Sequence, residues 1–332
     1  MQHYKRSRSG PVIIIAAMIA FIIVAPMFTN DYSMQVLNIA VINSIAALGL
    51  SVMLGMGGQL SFAAVSFMGI GAYTIANLTS GRHGFIMDTL AATLLAVLIA
   101  TALAYVFGLI LFRLKGTYFT FATIGLVQVT WAIYMNFKPL SGGPDGISGI
   151  PFISLFGIKA TNYRQLFYVI IAFVLISMVL VERIRQTQLG RSLASIRDNE
   201  IAAQTLGVDV YKTKVIAFTI AGGLAGLAGA LLAMHNRFIA ADLFTFDVAT
   251  TYVIMAMLGG VNNTVGVFVG SLLVTMLPEW LRPVQQYLKL MYGIGVILLM
   301  VFMPMGLAGL LTSFLKKKRK TQTEVTEDES NS

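Results

Sequence analysis

Ten predominantly apolar stretches follow one another along this chain, near residues 11–28, 34–54, 60–80, 88–112, 117–136, 166–181, 213–234, 248–260, 264–278 and 286–303. A helix needs about 20 apolar residues to cross the hydrocarbon of a bilayer. Within a bilayer only helices and closed barrels satisfy their own backbone groups. The pattern predicts an all-α polytopic membrane protein of about ten transmembrane helices. Composition points the same way: 57% of the 332 residues are hydrophobic, 11% are charged, and the mean hydropathy is +0.80. Such values exclude a cytosolic enzyme, a disordered chain and a nucleic-acid module. The net charge of +9 does not argue for DNA binding, because the basic residues flank apolar runs instead of lining a polar face.

Orientation follows from where the basic residues fall. Lys5, Arg6 and Arg8 precede the first run, and no small-x-small cleavage site follows it, so that run reads as an uncleaved span. With the N-terminus inside, 16 Lys and Arg residues lie on the inner side and 7 on the outer side, as the positive-inside rule requires. Reading 248–278 as one span would give nine and strand the Lys316–Lys320 cluster outside. Ten spans put both termini in the cytoplasm. The expectation is one transmembrane domain, residues 1–315, in the cytoplasmic (inner) membrane. A basic, then acidic, disordered tail of residues 316–332 completes it.

Two glycine-rich breaks interrupt this regularity. Gly55-Met56-Gly57-Gly58-Gln59 separates the second and third stretches, and Gly259-Gly260-Val261-Asn262-Asn263-Thr264 separates the eighth and ninth. Polar, glycine-rich backbone at membrane depth survives only where protein buries it or where it lines a wet cavity. The pieces 248–260 and 264–278 are therefore either half-helices in a re-entrant hairpin or full passes joined by a tight turn at the surface. Gln59, Ser61, Ser66, Asn262 and Asn263 are the polar groups near these breaks that can line a path; hydrogen bonds between helices are the competing role. The Gly222-Gly223-x-x-Gly226-x-x-Gly229 run lies inside an apolar span and follows no strand, so it reads as a close-packing face and not as a nucleotide fingerprint.

Three segments lie outside the spans. The outer stretch 137–165 holds Ser141-Gly142-Gly143-Pro144-Asp145-Gly146, a turn-rich loop that either meets a partner or simply connects. The outer loop 235–247 alternates Asp242, Phe244, Phe246 and Asp247, which suits a docking surface or an interfacial belt. The inner loop 182–212 is the most informative. Asp198 is a candidate cap for a helix of about two turns ending at Gly207, preceded by a short helical piece at 191–197. Leu193, Ile196, Ala203 and Leu206 fall roughly on one face. A helix this short needs a protein surface to pack on. Its low apolar bulk favours docking to a cytoplasmic protein over insertion into lipid.

At this point the chain resembles a known family. Glu200-Ile-Ala202-Ala203-Gln-Thr-Leu-Gly207 is similar to the EAA loop of ABC importer permeases, without the usual downstream Ile-x-Leu-Pro. The wider pattern is more specific. Gly57-Gly58-Gln59-Leu60-Ser61-Phe62 and Phe67-Met68-Gly69-Ile70-Gly71-Ala72-Tyr73 come first, then Leu114-Lys115-Gly116-Thr117-Tyr118-Phe119 and Gly142-Gly143-Pro144-Asp145-Gly146. Ile196-Arg197-Asp198-Asn199-Glu200, Ala225-Gly226-Leu227-Ala228-Gly229-Ala230 and Gly259-Gly260-Val261-Asn262-Asn263-Thr264 follow. In this order they resemble the LivM-type permease of branched-chain amino acid ABC importers, over about residues 35–310. The resemblance implies a type II (BtuC-like) importer fold, a LivH-like permease partner, two cytoplasmic ABC ATPase subunits and an extracytoplasmic substrate-binding protein. It makes Arg191, Arg197, Asp198, Glu200, Ala202, Ala203 and Gly207 the candidate ATPase-coupling residues. It leaves urea, simple sugars or nucleosides as alternative solutes to amino acids.

The residues themselves are consistent with a translocation subunit that carries out no catalysis. No Gly-x-x-x-x-Gly-Lys-[Ser/Thr] phosphate loop occurs, so an ATP-driven process takes its ATPase from another chain. There are no cysteines and only three scattered histidines, His3, His83 and His235, so neither a metal nor another cofactor is expected and a membrane enzyme lacks its acid–base set. The spans carry few charges, Asp88 at one end and Lys289 near another, which argues against an ion-coupled secondary transporter.

Overall fold

The computed structural model describes residues 30–280, apart from 83, 85, 115, 156, 157, 160 and 161. The expected spans near 11–28 and 286–303 and the tail lie outside the described residues, as do Lys289, His3 and His83.

Most of the expected apolar runs become helices, some of them started by a side-chain cap or a glycine. Helix α1 (Asp31–Ser51) continues through a wider-wound turn, Val52–Met56. Helix α2 covers Ala64–Thr79. Helix α3 (Thr89–Leu111) starts at Asp88, whose carboxylate accepts the amides of Leu90 and Ala91. Helix α4 (Thr117–Asn136) starts where Gly116, at φ 56, permits the turn. Helix α5 is Tyr163–Gln186, α6 is Gln188–Asp198 and α7 is Glu200–Thr205. Helix α8 (Val210–Asn236) is capped by Asp209, and α9 (Phe246–Gly259) and α10 (Thr264–Trp280) follow; a single helical turn, Lys138–Ser141, lies between α4 and α5.

Among the described residues, α1 with its extra turn, α3, α4, α5 and α8 are long and apolar enough to cross a membrane. Helices α1 and α8 are buried along most of their length and form the centre, with α2 and α3 packed on α8 and with α5, α9 and α10 on α1. The close approach is made by glycine. An added Cβ at Gly229 would collide with the Met68 carbonyl, one at Gly71 with the Gly226 carbonyl, and ones at Gly222 and Gly226 with the Ala104 and Ala100 methyls. This bears out the close-packing reading of the 222–229 run. The outer faces of α3, α4 and α5 carry exposed Leu94, Leu98, Phe121, Val129, Ile176 and Val179, the surface that lipid covers in a spanning bundle.

Among the described residues α2, α9 and α10 are apolar but shorter than a bilayer, and α2 and α9 are entered through irregular backbone. At 1.5 Å per residue α2 and α9 reach about 24 Å and about 21 Å, against roughly 30 Å of hydrocarbon. The reading of 60–80 as one helical span is corrected: α2 begins only at Ala64, after a non-helical stretch through residues 57–63. Gly58, at φ 65, turns the chain, and two hydroxyls of α4 then bind the non-helical stretch. Thr120 donates to the Leu60 carbonyl (3.0 Å), and the Phe62 amide donates to Thr123 (3.2 Å). Thr120 and Thr123 sit in the first two turns of a spanning helix, so the unwound backbone lies within the bundle and is satisfied there. The approach to α9 is similar. Residues 237–245 fold inward so that Phe244 is buried against Tyr73 and Tyr134, and α9 then starts with the Phe246 ring 5.2 Å from that of Phe62.

The 137–165 stretch is not a loose connector. Its strand β1 (Ile147–Ser148) pairs antiparallel with strand Phe238–Ile239, in register Ile147↔Ile239, which joins it to the segment that follows α8.

Candidate functional site

At the end of the bundle where α1 finishes, α6 and α7 form a bracket across it. Helix α6 begins at Gln188, three residues earlier than expected, with Gly190, Leu193 and Ile196 buried. Asn199 then adopts an extended conformation (φ −159, ψ 109) and breaks the helix, and its Oδ1 accepts the Ala202 amide at 3.0 Å. The cap of α7 is therefore Asn199 and not Asp198, which ends α6. Both residue types cap equally well, and the position of the break decides between them. At the other end Gly207 lies at φ 83 and the Val208 amide reaches back to the Ala203 carbonyl (3.1 Å), as the expected left-handed helix stop requires.

The expected apolar face divides. Leu193, Ile196 and Ala203 are buried against the bundle, but Leu206 is 82% exposed, and Ile201 of α7 is 76% exposed. Leu206, just past the end of α7, is turned away as the chain swings through Gly207 towards α8. The exposed pair is thus the outward side of the bracket. A cavity of about 400 Å³ opens next to it, between Gln188, Leu189 and Ser192 of α6 and Leu206, Val208, Asp209 and Thr213.

The charges of the bracket are mostly committed within the chain. Glu200 pairs with Lys214 of α8 at 2.7 Å, the lysine only 10% exposed and the glutamate half exposed. Arg191 donates to the Gln186 carbonyl (2.9 Å). Arg197 donates from Nη1 to the Gly55 carbonyl (2.9 Å) and to Asn262 Oδ1 (3.2 Å), and from Nε and Nη2 to Asp198 Oδ1. Glu182 of α5 accepts from Arg185 and from Thr264. The backbone amide and ammonium of Lys212 hold the exposed Asp209 carboxyl below the usual carboxylate range. Ala202 is exposed, and Gly207 has nothing within 4 Å of where a Cβ would stand.

The five polar residues near the breaks are placed differently from one another. Ser66 is buried and bonds Thr130 of α4 (2.9 Å), and the Ser61 hydroxyl accepts the Ala63 amide. Asn263 caps α10 by accepting the Val265 and Gly266 amides, and Asn262 bonds Arg197. Gln59 is half-buried on the unwound stretch. The two breaks themselves meet: an added Cβ at Gly55 would overlap the Val261 carbonyl.

A largely helical bundle with two interrupted passes and a capped bracket at one end can now be set beside known proteins. The sequence matches, over residues 32–304, the family described as branched-chain amino acid transport system / permease component. The chain belongs to this family. It is 28% identical to the high-affinity branched-chain amino acid transport system permease protein LivM of Salmonella typhimurium, over 91% of this chain and 76% of that protein. The Escherichia coli protein of the same name is 28% identical over 94% of this chain and 82% of its own length. A probable branched-chain amino acid transport permease protein LivM of Methanocaldococcus jannaschii is 26% identical over 81% and 87%. No solved structure matches the chain.

Within this permease, sequence reasoning missed the residues that hold the site from a distance. Thr120 and Thr123 pin the unwound stretch, Lys214 receives Glu200, and Asn199 is the cap. Only Asn199 carried a local signal, a capping residue type three positions before Ala202.

Proposed function

We propose that this chain is a membrane-spanning permease subunit of an ATP-driven importer of branched-chain, hydrophobic amino acids. It works in the cytoplasmic membrane with both termini inside, about ten spans and a type II importer arrangement. A LivH-like permease completes the pore, two ABC ATPases bind the bracket, and a substrate-binding protein delivers solute to the opposite end. The observation that carries the reading is the family match across residues 32–304, nearly the whole described bundle.

The geometry supports a division of labour. The exposed Ile201 and Leu206, on a two-turn helix too short to persist unpacked, suit a cleft in an ATPase. Gly207 permits the turn by which α7 leaves such a cleft, and Arg191, Ala202 and Ala203 shape the segment around it. Rigid-body motion of that cleft then becomes motion of the bracket. The solute path follows the interrupted passes, where α2 and α9 both begin inside the bundle beside Phe62 and Phe246. Discontinuous helices at membrane depth are where transporters place their solutes. Gln59 and Ser61, on the unwound stretch, are the path residues this reading favours.

The test is reconstitution of the complete assembly in liposomes. Labelled leucine, isoleucine or valine should enter only with ATP and binding protein, and this chain alone should be inert. Gradient-driven flux through the chain by itself would overturn the reading in favour of an autonomous transporter.

A further inference from the structure

We infer that Arg197 is a positioning residue that couples the bracket to both glycine-rich breaks at once; the inference rests on the proposed docking of the bracket to an ATPase. A single guanidinium joins three elements distant in sequence. Its stem leaves α6 at the last turn before the bracket bends, and lies across Gly58, where an added Cβ would stand 2.8 Å from Arg197 Cγ. Its Nη1 then holds the Gly55 carbonyl at the end of α1 and the Asn262 side chain in the turn between α9 and α10.

Helix ends leave carbonyls without intrahelical partners. Here the Met53 and Leu54 carbonyls take the amides of residues 57–59, and the Gly55 carbonyl takes the guanidinium. A cation at a helix C-terminus also complements the negative end of the helix dipole. Asp198 supplies the orientation: one carboxylate oxygen receives both Nε (3.2 Å) and Nη2 (3.1 Å), which fixes the guanidinium plane so that Nη1 points between the two acceptors. A lysine offers a point charge with no fork and cannot be held in plane this way.

The consequence is mechanical. The break after α1 leads into the unwound stretch and so to α2, and the Asn262 turn opens α10. The Gly55 and Val261 backbones also lie close together, so the two breaks that Arg197 joins are neighbours. Displacement of α6–α7 therefore reaches both interrupted regions through one side chain. Apolar contacts such as Leu193 against Gly57 give the bracket its seat but not this directional link.

The test uses the complete reconstituted importer carrying Arg197→Lys, Asn262→Ala, or both. The ATPases should stay bound, and ATP hydrolysis is measured beside uptake in the same vesicles. Solute carried per ATP should fall about tenfold in Arg197→Lys, within the roughly 5- to 150-fold span of typical couplings between sites. Asn262→Ala should give a smaller fall of the same kind. The double variant should be no worse than Arg197→Lys, because both changes break the same link. A wild-type ratio in Arg197→Lys, additive losses in the double variant, or release of the ATPases by Arg197→Lys would each overturn the inference. Should Arg197→Lys fail to reach the membrane, exposed Asn262→Ala decides alone, a wild-type ratio being the overturning result. The docking reading has its own arm: if the combined Ile201→Ser and Leu206→Ser variant keeps the ATPases bound at wild-type affinity, docking fails whatever Arg197 does.

Discussion

The seam between α2, α3 and α8 and the bracket of α6 and α7 are held together by opposite means. In the seam, backbones touch. Gly229 lies against the Met68 carbonyl and Gly71 against the Gly226 carbonyl, with Ala100 and Ala104 filling the next positions. Beside these glycine contacts the rings of Phe67, Phe107 and Phe218 pack on one another, and the whole is many weak dispersion contacts that vanish together if the helices separate. In the bracket, three buried apolar side chains and a few directed polar contacts do the holding. A seam of backbone contacts has one arrangement. A bracket on a few bonds can rock about them. A machine that moves solute needs both, a body that stays intact and a handle that can be turned.

The largest effect should come from spoiling the seam. Gly229→Val places two methyls where the Met68 carbonyl stands, and α2 must lift off α8 to admit them. Overpacking a filled site costs about 1–3 kcal/mol and sometimes more. We expect little monodisperse protein on fluorescence-detected size exclusion after detergent extraction. Gly125→Val is the control, because Gly125 of α4 has open space around it. A normal yield for Gly229→Val, or an equal loss for Gly125→Val, would show that the seam does not depend on that contact.

A middle-sized effect separates the partners of the bracket's ion pair. Lys214 is nearly buried and Glu200 is half exposed. Glu200→Gln strands the ammonium, and leaving a buried polar group poorly partnered costs about 1–3 kcal/mol. Lys214→Met removes the buried charge itself and leaves a carboxylate that water can reach. We therefore expect Glu200→Gln to lower the melting temperature of the purified permease clearly more than Lys214→Met. The reverse order would mean that the pair is not seated as described.

How much of this was legible in the sequence follows the same contrast. Most of the seam was readable: the apolar runs at 88–112 and 213–234 became α3 and the body of α8, and the small-residue run at 222–229 became the packing face, while α2 began later than expected. Those features are local. Of the unwound stretch only its glycine-rich start, 57–59, was readable; the rest was not, because Leu60, Phe62 and Ala63 are as apolar as any helix interior. Leu60 and Phe62 are instead held out of the helix by a pair of hydroxyls some 60 residues further on. The inward turn of Arg197 is equally non-local, set by a carbonyl 142 positions away. Where Asp198 and Asn199 stand side by side, composition offers two equivalent caps and only the folded chain selects one.

The turn at Gly207 should show a smaller change. Its φ of 83 is open to glycine and tolerated by asparagine, while an ordinary side chain there costs about 1–2 kcal/mol. Nothing crowds the position, so the whole effect is backbone preference. Gly207→Val should re-aim α7 and uncouple ATP hydrolysis from uptake, with Gly207→Asn in between. Wild-type uptake by Gly207→Val at normal expression would remove Gly207 from the coupling segment.

The smallest effect on the chain's own stability should come from the outward side of the bracket. Ile201 and Leu206 touch little of their own protein, so Ile201→Ser and Leu206→Ser should shift stability within about 0.5 kcal/mol, as surface changes usually do. Their effect belongs to assembly. If the bracket is a handle, its apolar knobs are buried only when something grips them, and the two serines should weaken co-purification of the ATPases while leaving the melting temperature of the isolated permease unchanged. A fall in that melting temperature with ATPase binding intact would mean that these side chains serve the permease itself, and that the handle is gripped elsewhere.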